Sequence, residues 1–515
     1  MSDTRDDIYA GSQERNFMGH PIGLSVLFLT EMWERFSYYG MRTILILYLT
    51  KYHLFGVGKA SMIYGAYAGL VYMMPIIGGY MADRYLGSRK AVTYGAILLV
   101  LGHGLMAFHG APAYMDGDIV VRDDFYINIF FFALALIIGG VGFLKANISS
   151  IVGALYGPND PRRDGGFSIF YMGINLGSFI SMIVVGYVGE VHGWNYGFSL
   201  AGIGMLFGLL VFLWGQKYLD GRAEPPHPEV LKEISPIGLN KEYTIYLFGL
   251  VMVAVSWVMM QYDEMVIQLV GITGLFMIAF ILYYAFTKCE KIDRDRMMVA
   301  LFLIAVQAVF WALFEQQAAS LTLLADQQFN LNFLGMDILA SQVQTLNALF
   351  VISLAPIMAW LWVAMARKKI EPSTPAKFGY SMLIIGAGYI IFAWGMGLDD
   401  STTKSFFWLI FIYFALTLAE LFLSPVGLSM VTKLSVSKIV GMMMGTWFLF
   451  TALGNNVAGW ISSLMGSADP DAASGTLDMA STMDLYSLIG YTSVGVGIFI
   501  LLLTPILKKG MHGVH

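Results

Sequence analysis

Long apolar stretches, broken by short polar connections, recur along the whole chain. A helix needs about 20 consecutive, mostly apolar residues to cross the hydrocarbon core of a bilayer. Runs of that kind occur fourteen times, at 21–50, 60–82, 91–110, 125–155, 166–189, 196–216, 242–260, 265–287, 297–325, 341–366, 377–396, 405–432, 438–465 and 484–507. Several exceed 25 residues, which implies tilt, kinks or extension beyond the lipid. The pattern predicts an all-α, polytopic membrane protein with fourteen transmembrane helices.

Composition agrees and narrows the classes. Of 515 residues, 57% are hydrophobic and 13% charged, where soluble domains run about 45–50% and about 25%. Cys289 is the only cysteine, so a disulfide scaffold is excluded. A net charge of −5 argues against a nucleic-acid partner. The 56 glycines suggest helices that approach closely within lipid. Residues 1–19 carry Asp3, Asp6, Asp7 and Glu14 without an apolar stretch, which predicts a cytoplasmic tail and no cleaved signal peptide.

Lys and Arg set the orientation, because cytoplasmic loops hold the excess. Alternate connections and the two termini carry 23 of the 30 basic residues; the other connections carry only Lys51, Lys59, Arg122 and Lys404. Both termini are therefore expected to be cytoplasmic. The longest connections, Lys217 to Lys241 inside and Ala468 to Asp484 outside, leave no room for a soluble domain.

Seven ionisable residues fall well inside the spans: Glu31, Glu34, Arg35 and Arg42 on the first, Lys145 on the fourth, Glu315 on the ninth and Glu420 on the twelfth. A charge at the bilayer centre costs on the order of 3 kcal/mol or more and usually marks a transport path. Glu31, Glu34 and Arg35 share one helical face, with Arg42 two turns beyond Arg35; Tyr38 and Tyr39 lie on or beside that stripe. Four carboxylates face three cations, and a carboxylate without a dedicated partner is suited to carry a proton.

The segment Gly79-Tyr-Met-Ala-Asp83-Arg84-Tyr-Leu-Gly-Ser-Arg89-Lys90 resembles the loop motif of major facilitator superfamily transporters. That resemblance implies the major facilitator fold, two six-helix bundles rocking about a central site. The chain then divides into an N-terminal tail (1–19), a first bundle (20–216), a linker with two inserted helices (217–296), a second bundle (297–507) and a cytoplasmic tail (508–515). Glu31-Met-Trp-Glu34-Arg35-Phe36-Ser-Tyr38-Tyr39-Gly40, and Phe170-Tyr171-Met-Gly-Ile-Asn175-Leu-Gly-Ser178, look like the two signatures of the proton-coupled oligopeptide transporter (POT) family. The inserted pair and the short Gly397 to Lys404 connection match its bacterial form.

The resemblance implies a symporter importing di- and tripeptides with protons. It has no cofactor, because the proton gradient drives it, and its expected partners are the peptides, protons and the lipid bilayer, with no obligate protein partner. Arg35 and Lys145 match the ligands of the peptide carboxylate, with Glu31 and Glu34 exchanging contacts with Lys145. Glu315 matches the proton-carrying carboxylate that pairs with Arg42. Glu420 matches the receiver of the amino group, with Ser424 one turn on. Tyr38, Tyr39, Tyr72, Tyr171, Asn175, Trp311, Phe314, Asn347 and Trp447 match the lining. One departure stands out: mammalian relatives place a histidine on the second helix where this chain has Gly65, so coupling must rest on carboxylates. The alternative is a carrier of nitrate or another small anion, whose members lack the complete Glu-x-x-Glu-Arg set. An enzyme is not expected, since no His-x-x-x-His pair, Asp pair or Gly-x-Ser-x-Gly elbow lies within a span. A Walker motif, which direct ATP drive would require, is absent.

Overall fold

The computed structural model describes residues 16–157, 160, 162–399, 401, 403–466 and 476–514. Residues 1–15 of the expected N-terminal tail, 468–475 of the connection expected from Ala468 to Asp484, 400 and 402 of the Gly397 to Lys404 connection, and His515 lie outside them. Fourteen helices of membrane length run through the described residues: α1 (Gly23–Leu47), α2 (Val57–Met81), α3 (Gly87–Met106), α4 (Asp124–Ala154), α5 (Arg163–Tyr187), α6 (Trp194–Gly215), α7 (Lys241–Gln261), α8 (Asp263–Lys288), α9 (Lys291–Phe314), α10 (Thr345–Arg367), α11 (Thr374–Leu398), α12 (Phe407–Leu434), α13 (Val440–Ser463) and α14 (Met479–Gly510). Each of the fourteen apolar runs holds one of them. Eleven continuous helical runs are apolar enough to cross a membrane, one of which, Val57–Met106, contains both α2 and α3. The two helices beyond that set are α1, diluted by its four ionisable residues, and α13, diluted by Asn455 and Asn456.

Two local features depart from the sequence pattern. The connection expected between the second and third spans is a single wide helical turn, Ala82–Leu86, that passes straight into α3. Gly87 makes the corner at φ +71°, and a Cβ there would sit 2.5 Å from the Pro225 amide nitrogen, so only glycine fits. The ninth run, expected as one helix over 297–325, is broken. α9 stops at Phe314, a 3₁₀ turn covers Glu315–Ala318, and a short helix resumes over Ser320–Gln328.

No glycine or proline causes that break. Backbone groups freed inside a membrane must find partners within the protein, and here side chains supply them. The Tyr389 hydroxyl donates to the Leu313 carbonyl at 2.7 Å, and the Tyr413 and Thr322 hydroxyls donate to the Gln317 carbonyl at 3.0 and 2.9 Å. Gln316 donates from Nε2 to the Ala458 carbonyl at 3.0 Å and accepts the Ser320 and Ser462 hydroxyls.

Contacts divide the chain into two compact units. One takes in the chain up to Met41, Met74–His109 and Phe125–Val258. In it α3 lies along α6, and α2 crosses α4 so closely that a Cβ on Gly78 would stand 2.1 Å from the Gly142 carbonyl oxygen. Lys90 on α3 pairs with Glu242 at the start of α7 at 2.6 Å. The other unit takes in Arg42–Met73, Gly110–Asp124 and the chain from Met259 on. There α11 lies along α14, and α13 packs against both α9 and α8.

Candidate functional site

Buried charge gathers at one place in the first unit. Arg35 Nε meets Glu31 Oε1 at 3.1 Å and also pairs with Glu34, all three side chains at most 4% exposed. Their i, i+3 and i, i+4 spacing on α1 brings them together, as the sequence predicts. Glu31 Oε2, Glu34 Oε1 and Arg35 Nη2 remain buried without a hydrogen-bond partner. Unspent polar capacity of that kind is rare in native folds, and it leaves the cluster with two acceptors and one donor unused. The guanidinium carbon of Arg35 lies 5.2 Å from the Tyr38 ring centroid, and Tyr38 meets Tyr39 edge-on at 5.2 Å. Lys145 on α4 is half-buried and within electrostatic reach of Glu31. Two carboxylates thus balance two cations.

In the second unit, Arg42 on the last part of α1 pairs through Nη2 with Glu315 at the break after α9. Both are buried, and Arg42 Nε also donates to the Tyr64 hydroxyl on α2. Thr43 donates to the Ser341 carbonyl at 2.6 Å beside this pair. The break therefore presents Glu315 at a point where the helix direction is no longer fixed by its own hydrogen bonds. A Cβ on Gly65 would lie 2.9 Å from Gly459 Cα. A side chain as large as histidine has no room there.

Glu420 on α12 accepts from Asn347 Nδ2 on α10 at 3.3 Å, and Asn347 also donates to Thr417 Oγ1 at 2.9 Å. Among the described residues Glu420 joins no ion pair, which makes it the carboxylate in excess of cations. Ser424 is exposed one turn on. Trp311 and Trp447 are tied together by Gln307, which is fully buried. Trp311 Nε1 donates to Gln307 Oε1 at 2.9 Å, and Gln307 Nε2 donates to the Trp447 carbonyl at 2.7 Å. Phe314 meets Trp311 edge-on at 5.3 Å.

The remaining lining residues are more dispersed. Tyr72 lies within electrostatic reach of Tyr64. Tyr171 is 55% exposed, and the Asn175 amide turns back to the Tyr171 carbonyl at 3.0 Å, serving its own helix. Sequence reasoning missed Tyr64, Gln307 and Gln316. The available signal was a neutral polar side chain inside an apolar run.

A family profile described as the POT family matches residues 89–476. Peptide transporter YePEPT of Yersinia enterocolitica subsp. palearctica serotype O:3 (strain YE-P4) is 36% identical over 520 residues, 96% of either chain. A di-/tripeptide transporter of Lactococcus lactis subsp. lactis (strain IL1403) is 34% identical over 521 residues, covering 96% of this chain and 97% of its own. The crystal structure of a variant of peptide transporter POT in complex with alafosfalin matches with a TM-score of 0.83 at 35% identity over 99% of both chains.

Proposed function

Because the chain belongs to the POT family, we propose that it is a proton-coupled symporter importing di- and tripeptides across the bacterial cytoplasmic membrane by alternating access. The carrying observation is the buried Arg42–Glu315 pair at the break after α9. A proton placed on the Glu315 carboxylate cancels its attraction for Arg42 and frees α1 from that break. Loss of the proton restores the pair. Alternating those two states is what coupling requires, since a ligand shifts an equilibrium only through a difference in affinity for its states.

In this reading Arg35 and Lys145 take the peptide carboxylate, while Glu31 and Glu34 exchange partners with Lys145. Glu420, the carboxylate without a cation, takes the amino group. Tyr38, Tyr39, Tyr72, Tyr171, Asn175, Trp311, Phe314, Asn347, Ser424 and Trp447 line the path. The moving bodies are residues 20–216 and 297–507, with 217–296 inserted and both termini cytoplasmic. The protein is a carrier and not a catalyst, and it needs no cofactor or obligate protein partner, because the proton gradient supplies the drive.

The test is uptake of labelled dialanine into proteoliposomes under an imposed inward proton gradient. Accumulation above the external concentration is expected, collapsing with a protonophore. Failure to accumulate under an inward gradient would overturn the reading.

A further inference from the structure

We propose that the cavity where the first turns of α2 and α8 meet the last turn of α13 binds the headgroup of a phospholipid bearing a primary ammonium. The cavity encloses about 580 Å³, with Lys59, Asp263, Glu264, Gln268, Trp460 and Ser463 on its wall. Three membrane-length helices end here, so it lies where hydrocarbon gives way to headgroups. Trp460, 49% exposed, is the residue type enriched at that depth.

The polar groups specify the ligand. Lys59 Nζ stands 2.9 Å from Asp263 Oδ1, which also accepts the Glu264 amide at 3.2 Å. Asp263 is only 5% exposed, yet its Oδ2 is buried with no hydrogen-bond partner. Glu264 is exposed and adds a second carboxylate to the same wall. One cation against two carboxylates leaves the cavity negative, with spare acceptors. A buried acceptor without a donor is costly and rare, so the fitting ligand brings N–H donors on a positive charge. It must also bring an anion for Lys59, which the ammonium displaces from Asp263. A phosphoethanolamine-type headgroup carries both, and its acyl chains would leave along the apolar Ile267 and Leu464 on the same wall. A quaternary ammonium carries the charge but has no N–H to offer. The assignment stands apart from the peptide-transport reading and uses none of its residues.

Native mass spectrometry of the purified protein tests it, with acyl-matched phosphatidylethanolamine and phosphatidylcholine added at equal concentration. The parent protein should retain the ethanolamine lipid about tenfold more strongly, roughly the effect of one hydrogen bond to a charged group. Asp263→Asn keeps the shape but removes the charge, and should bring the two lipids within about twofold of each other. Glu264→Gln, at an exposed position where folding is not at stake, should give an intermediate ratio. Equal retention by the parent, or the parent ratio in both variants, overturns the proposal. Glycerophosphoethanolamine, the headgroup without acyl chains, separates a lipid from a free phosphorylated amine. It should displace the lipid only weakly, and binding as tight as the lipid's would overturn the lipid assignment.

Discussion

Arg42 and Glu315 hold opposite charges almost out of reach of water, with side chains 6% and 3% exposed. Removing one partner of such a pair costs about 3–5 kcal/mol, because the other charge is stranded. Protonation of Glu315 is the reversible way to uncouple them. Glu315→Gln keeps the size and leaves Arg42 an amide oxygen to bond, but it cannot release a proton. Gradient-driven accumulation of dialanine should therefore be lost, while exchange between two peptide-loaded compartments survives. Loss of both activities would make Glu315 structural or substrate-binding, and persistence of both would move the proton to another carboxylate. The seven intramembrane charges were visible in the sequence because each is too costly to occur without a reason. Gln307 and Gln316 were not, since a neutral amide within a span is ordinary. Their importance depends on carbonyls 140 and 142 residues away.

At the level of helices, the apolar runs located all fourteen, because crossing a bilayer demands length and hydropathy that sequence displays directly. The break after Phe314 was hidden for the opposite reason. Its partners are mostly hydroxyls far along the chain on α11, α12 and α13, helped by Thr322 and Ser320 beside it, and no proline or glycine marks it. The close crossing of α2 and α4 was only hinted at by glycine content, and it makes a quantitative prediction. In Gly78→Ala the new methyl meets the Gly142 backbone, which cannot move aside without shifting α4. Overpacking of this kind costs about 1–3 kcal/mol. The variant should melt at a lower temperature in detergent than the parent. Gly79→Ala is the control: its methyl would find only Ala146 Cβ, at 3.9 Å, and it should melt with the parent.

For the molecule as a whole, charge bookkeeping fixes how transport responds to voltage. A zwitterionic dipeptide is neutral, so every proton that accompanies it moves net positive charge inward, worth about 2.3 kcal/mol per 100 mV. An inside-negative potassium diffusion potential, at equal pH on both sides, should accelerate dialanine uptake. Uptake insensitive to potential would exclude proton symport of neutral peptides. The break after α9 also has a consequence for biosynthesis. The Leu313 carbonyl waits for Tyr389, 76 residues on. The Gln317 carbonyl and the Gln316 side chain have Thr322 and Ser320 nearby, but their second donors, Tyr413 and Ser462, come 96 and 146 residues on. A nascent chain that has emerged only as far as α10 holds Thr322 and Ser320 but neither tyrosine nor Ser462. The ninth span should therefore enter the membrane as an unbroken helix and bend at Glu315 only after α11 and α12 have joined it. The buried Arg42–Glu315 pair is then among the last parts of the protein to come into being, and a prematurely terminated chain would insert without acquiring it.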